Sequence, residues 1–452
     1  MTKMKRDDLI RSAVVAFSLL STLVTLHSKT IQVGPESSLV EVIAAAPANS
    51  ELILSAGVHR GPVIVDKALL LNGVPGAVID GGRNGSVISV KADGVRIENL
   101  IIRNSGLRLE KDDAGIHSTG ADTVVRNNRI ESCLHGIYFR EVVGGRISGN
   151  TVLGATVNHS DQEKTFDTLS GGAPVADQPG LCAVGQLNEN RRGNGIHLWS
   201  SSQVVIIDNH VAHTRDGIYF SFTDDCEVTR NEVRRTRYGL HYMYSDGNAF
   251  YDNRFSENGA GAALMYSKNL RVEQNEFTAN RGRRAYGMLL QSVDNSTFDD
   301  NAVFGNTIGV YAENSQSNAF SRSQLSGNYV AFRMGGSSAD NVLGQNHFVS
   351  NWHSVEVDGS VERNRWHRVD VGNRWQGPAE PDLDGDGLGD FAHREWDPLG
   401  ALRRDFPLAG LLSGSAGLEA LRFATSRSDA SNARVIIDPR PLSGTATLIR
   451  DD

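Results

Sequence analysis

The sequence predicts an all-β fold: a right-handed, single-stranded parallel β-helix built from coils of about 22 residues, with an N-terminal cap and a C-terminal helical tail. Three observations carry this reading. A glycine-started unit repeats along the chain, each unit holds two short alternating stretches, and one asparagine keeps a fixed phase against the glycine.

The unit reads GIHSTGADTVVRNNRIESCLH from Gly115, GIYFREVVGGRISGNTV from Gly136 and GIHLWSSSQVVIIDNHVAHTRD from Gly195. It recurs from Gly217, Gly239, Gly261 and Gly287, and degenerate copies start at Gly309, Ala331 and Ser354, so the array covers at least residues 95–366. A period of about 20–50 residues marks a solenoid. Stretches such as GIYF and CEVTRNEV alternate with a period of two and are separated by small polar residues, which suits strands joined by tight bends.

Asn128, Asn209, Asn231, Asn253 and Asn301 each lie eight residues before a glycine, with Asn150 and Asn275 displaced by insertions. Stacked coils are about 4.8 Å apart, so these amides can hydrogen-bond along a ladder inside the bend.

The other elements follow in chain order. Met1 to Arg6 carries Lys3, Lys5 and Arg6, and Leu9 to Leu26 is mostly apolar, so residues 1–28 read as a signal peptide. Asp7, Asp8 and the lack of an Ala-x-Ala site leave a signal anchor as the alternative. Residues 29–94 form the cap and first coils, with a helix candidate at Ser38 to Ala46 that would hide the open end of the solenoid. Residues 95–376 are the β-helix, interrupted by a polar insertion at 155–194; loops of that length are usually functional or disordered. Residues 377–398 hold an aspartate-rich loop, and 399–452 a tail whose helix candidate runs from Phe406 to Phe423.

Composition limits the function. A hydrophobic fraction of 39% supports a long core, and a net charge of -8 is no footprint for nucleic acid. Cys133, Cys182 and Cys226 are odd in number, and Cys133 and Cys226 differ in phase, so buried or unpaired thiols are expected.

Chemistry is expected on the outer face. The residue after each glycine is apolar (Ile116, Ile137, Ile196, Ile218, Leu240), so the next one points outward. That column reads His117, Tyr138, His197, Tyr219 and His241, and the parallel column two residues on reads Thr119, Arg140, Trp199, Ser221, Met243 and Met265. His197, His241, Met243 and Met265 are candidate copper ligands, because thioether and imidazole together suit Cu(I). An aromatic docking face without metal is the alternative reading of the same residues.

The run DLDGDGLGD sets Asp382, Asp384, Asp386 and Asp390 around glycines in the manner of a Ca²⁺ loop. It departs from an EF-hand because His393 stands at the twelfth place, where a bidentate glutamate is expected. A structural calcium clip is expected here, with a metal-free aspartate turn as the alternative.

The glycine-started repeats, the segment NRWQGPAEPDLDGDGLGD, the tail FPLAGLLSGSAGLEALRFATSRSD and the run IIDPRPL together resemble the NosD family, periplasmic maturation factors of nitrous oxide reductase. That resemblance implies an adaptor rather than a catalyst. It would work with the ATPase and transmembrane subunits of an ABC transporter, with a copper chaperone and with the nitrous oxide reductase apoprotein, in delivering copper to the copper-sulfur site. It also implies a place in the periplasm at the inner membrane, with the apolar residues of Phe406 to Phe423 docking on the transporter or capping the last coil.

A competing class is a carbohydrate-binding or polysaccharide-cleaving β-helix. Cleavage needs paired carboxylates on one exposed face. Asp112 with Asp113 and Asp224 with Asp225 are adjacent on the chain and point to opposite faces, so no such pair is assembled.

Overall fold

The computed structural model describes residues 29–154, 192–281, 285–358, 363–397, 406, 415–417, 420 and 434–443. The expected signal segment, the body of the insertion, Cys182 and most of the Phe406 to Phe423 helix candidate lie outside the described residues.

The described chain winds into a parallel β-helix with three faces, a sheet of thirteen strands and two of twelve. Each coil contributes one strand to each sheet, and every described strand pair within the three is parallel. The inward column predicted after the glycines is in strict register: Ile137, Ile196, Ile218, Leu240 and Ala262 are consecutive partners. All are essentially inaccessible to solvent, and each large aliphatic side chain so buried stabilises the coil by about 1.5–3 kcal/mol. The pairing of Ile137 with Ile196 shows that the insertion leaves the rung without disturbing it.

The asparagine ladder is present and longer than the repeat suggested. The backbone N–H of Asn128 donates to Oδ1 of Asn150 at 2.9 Å, and the same bond then links Asn209, Asn231, Asn253, Asn275 and Asn301 in turn at 2.9–3.0 Å. Ser323, Asn346 and Asn373 continue it, and the last N–H donates to the buried carboxylate of Asp438. Each Nδ2 also bonds a main-chain carbonyl, as Asn253 does with Val228. A second ladder, Asn258, Asn280, Asn306, Asn328 and Asn351, runs three residues before the glycine position, with Asn280 displaced by an insertion, and was not read from the sequence.

Helix α1 (Leu39–Ala45) seals the N-terminal end. The Ser38 hydroxyl accepts the Glu41 N–H, Leu39 and Ile43 turn into the core, and Pro47 follows the last turn. At the other end Phe348, Trp375 and His393 stack at 4.8 Å spacings, and strand His393–Asp397 pairs antiparallel with Arg434–Asp438. The tail therefore returns to the solenoid as a strand and supplies Asp438 to it. Cys133 and Cys226 are buried free thiols, as expected. Among the described residues no helix is long and apolar enough to cross a membrane.

Two measurements test this architecture. Replacing Asn253 with alanine removes the acceptor of the Asn231 N–H and the donor to Val228 O, so chemical denaturation is expected to show a loss of about 2–4 kcal/mol from two newly unsatisfied buried groups. His393 is the second case. Burial opposes its charge, but hydrogen bonds to Glu395 and Glu380 outweigh this and raise its pKa above 6.5. Its contribution to stability is complete below about pH 6.5 and fades as pH rises through the raised folded value. Thermal melts from pH 5.5 to 8.5 should show this fall in the wild type and a flatter profile in His393→Gln.

Candidate metal strip on the outer sheet

The outward column forms on the sheet that carries the glycine-started strands. His117, Tyr138, His197, Tyr219, His241 and Ala263 are successive register partners, one rung apart. Their rings touch along the column, with centroids 4.9, 4.3, 4.5 and 4.9 Å apart from His117 to His241.

His241, on strand Tyr238–Met243, is held from below. Its Nδ1 lies 2.8 Å from the Asp216 carboxylate, which also receives two bonds from Arg237, at 2.8 and 2.6 Å. Asp216 is 2% exposed and Arg237 8%, so this is a buried, doubly hydrogen-bonded pair. Burial alone would raise the Asp216 pKa; the bonds from His241 and Arg237 overcome that and bring it down to about 2. An ionised carboxylate at Nδ1 fixes the proton there in the neutral ring and leaves the lone pair on Nε2, the arrangement that orients metal-binding histidines.

Met243 lies two residues beyond His241 on the same face, and its register partner on the next rung is Met265. Both side chains are half-buried. The strip His241, Met243, Met265 is thus assembled by one strand and its neighbour.

His197 stands apart from it, separated from His241 by the Tyr219 ring. Its ring lies beside that of His135, with centroids 5.4 Å apart. The His135 Nδ1 accepts the Asn194 N–H at 3.0 Å, and the Nε2 of His197 is buried without a hydrogen-bond partner among the described residues. Burial holds His117 and His135 at a pKa of about 4, and burial together with the neighbouring His135 takes His197 well below 6.5. These three imidazoles are neutral at pH 7, the state in which nitrogen binds metal.

His135, Asp216 and Arg237 were not singled out from the sequence. The first two share one signal: each immediately precedes a repeat glycine, where a polar residue points outward beside the column.

The aspartate loop behaves in part as its spacing suggests. Carboxylate oxygens of Asp382, Asp384 and Asp390 come within 4.8 Å of one another. Asp386 turns away and pairs with Arg440 at 2.6 Å. Asp382 accepts the amides of Gly385 and Gly387 and the Ser443 hydroxyl, which ties the loop to the returning tail. The acids weighed for sugar chemistry are not paired across a cleft: Asp113 is buried against Arg108 at 3.0 Å, and Asp224 accepts the Asp246 N–H at the rim of the outer sheet.

Comparison with known proteins adds three findings. A family described as periplasmic copper-binding protein (NosD) matches residues 181–380. Two curated relatives share the name "Probable ABC transporter binding protein NosD". One, from Pseudomonas aeruginosa, is 32% identical over 407 residues, 86% of this chain and 87% of the relative. The other, from Stutzerimonas stutzeri, is 29% identical over 446 residues, 94% of each chain. Among solved structures, the A-module of the Azotobacter vinelandii mannuronan C-5 epimerase AlgE4 superposes with a TM-score of 0.50 at 12% identity, covering 71% of this chain and 92% of that one, a likeness of fold alone.

Proposed function

Since this chain belongs to the NosD family, we propose that it is a periplasmic accessory protein that works with an ABC transporter and carries Cu(I) toward the copper-sulfur site of nitrous oxide reductase. The reading is supported most directly by one observation: an imidazole whose Nδ1 is occupied by a buried carboxylate stands beside two thioethers on adjacent rungs.

Copper is cargo here. His241 Nε2, Met243 and Met265 form a soft donor set suited to Cu(I), and Asp216 and Arg237 hold His241 in place. His197 adds an imidazole farther along the same column. Half-buried donors on a rigid sheet keep the ion reachable by a partner, as a delivery protein requires. The partners in this reading are the ATPase and transmembrane subunits of the transporter, a copper chaperone and the reductase apoprotein. The family's relatives are named as binding proteins, which fits a non-catalytic role. Calcium at Asp382, Asp384 and Asp390 would act as a clip between loop and tail, with no step in the handling of copper.

Competition for Cu(I) against a chromogenic chelator tests the site. The His241→Ala, Met243→Ala double variant should bind at least about tenfold more weakly, and Asp216→Asn about 10–100-fold more weakly, the range for partners that orient a ligand. Wild-type affinity in the folded double variant would refute the assignment. For the clip, millimolar Ca²⁺ should raise the melting temperature of the wild type and leave an Asp382→Asn, Asp384→Asn variant unchanged.

A further inference from the structure

Five residues after each repeat glycine from Gly136 to Gly309 the chain places a residue in the left-handed region. Four of these seven coils carry polar residues, Glu141, Ser200, Ser292 and Asn314, with φ between 48° and 56°. Three consecutive coils break the rule with Phe222, Tyr244 and Tyr266, at φ of 52°, 51° and 52°. A bulky aromatic in this backbone region is an outlier, and three in succession point to a use for the rings rather than for the turn.

The rings do not turn into the core. Phe222 is 54% exposed, Tyr244 48% and Tyr266 43%. They stack into one ridge, with centroids 5.3 and 5.0 Å apart and planes within 10° of parallel. The ridge runs alongside the thioethers, since Tyr244 follows Met243 and Tyr266 follows Met265 on the chain. Its far side is acidic: Asp224, Asp225 and Asp246 follow on the same turns, and Lys268 lies 3.9 Å from Asp246 as the cation beside them.

We propose that the ridge Phe222, Tyr244, Tyr266 is the docking surface for the protein that donates Cu(I) to Met243 and Met265. The donor would bring a metal mouth with an apolar cleft to take the ridge and a basic rim to face Asp224, Asp225 and Asp246. Stacked rings beside the thioethers shut water out at the moment of transfer, and they present a preformed apolar anchor with little side-chain freedom to lose. The acidic flank speeds encounter and sets orientation. This inference rests on the copper reading of His241, Met243 and Met265.

The test uses the full chain and two sources of metal: a Cu(I)–bicinchoninate complex, which needs no docking surface, and a purified Cu(I)-loaded periplasmic copper chaperone. The variant is Phe222→Asn, Tyr244→Asn, Tyr266→Asn, chosen because asparagine occupies the same turn at Asn314 and tolerates a left-handed backbone. It should take copper from bicinchoninate like the wild type and from the chaperone at least tenfold more slowly.

Equal rates from the chaperone would overturn the proposal, and so would equal slowing from both sources, which would make the ridge part of the metal site or of the fold. Loss of binding to apo-reductase with unchanged chaperone transfer would overturn it in favour of the client as occupant. A Met243→Ala, Met265→Ala variant separates the two levels: if it still loads from bicinchoninate at full affinity the copper reading fails, whereas surface-plasmon binding of the apo-chaperone to the ridge variant reports on docking alone.

Discussion

Everything in this molecule depends on the polar group that each coil buries at its bends. A solenoid with tight turns folds main-chain amides and carbonyls into its interior at every corner, where an unpaired one costs on the order of 1–3 kcal/mol. Side-chain amides answer this because they donate and accept at once, and at the coil spacing they satisfy the rung above, the rung below and a local carbonyl together. Asn231 does all three, through Asn209, Asn253 and Thr229. With the corners fixed, strand register is fixed, and the outward columns become straight files of residues at the spacing of the parallel strands.

That rigidity makes the outer sheet usable. His241, Met243 and Met265 need no loop to hold them, and the Asp216–Arg237 pair beneath them is itself positioned by the backbone of neighbouring coils. The same straightness lets Phe222, Tyr244 and Tyr266 stack. On a surface built from ordinary loops, three exposed aromatics would collapse inward or onto one another; here the turn directs each ring to the same side. The soft donors and the aromatic ridge are two adjacent files of one ruled surface.

How much of this could be read from the sequence followed from how local each signal was. The glycine phase, the inward aliphatic column, the first asparagine ladder and α1 are all written in short stretches with a fixed period, and the structure has them where the period puts them. The second ladder, from Asn258 to Asn351, is as periodic as the first but lies close to the glycine, where polar residues are expected at a turn in any case. The bond from Arg237 to Asp216 spans 21 residues and joins different positions of successive units, so a column-by-column alignment does not reveal it. The strand Arg434–Asp438 is separated from its partner by a long stretch of tail, and nothing local announces that it returns. Of the four residues first grouped as copper ligands, the aligned columns show that three are neighbours; only the rings show that Tyr219 stands between His197 and His241. The aspartate loop was legible as a motif, while the turn of Asp386 toward Arg440 depends on that same returning tail.

The ladder also has a direction. Each asparagine hands its N–H to the coil that follows, so the final coil always needs an acceptor that asks for nothing in return. Asp438 is such a group: its carboxylate takes the N–H of Asn373 at 2.6 Å and the Trp375 indole N–H at 2.9 Å and offers no donor onward. A terminus of this kind is a chain stopper in the polymer chemist's sense. Coils could be added or removed between α1 and Asp438 in whole units during evolution, lengthening or shortening the rod like a ruler. At the last coil the donor chain of this ladder ends on a single carboxylate.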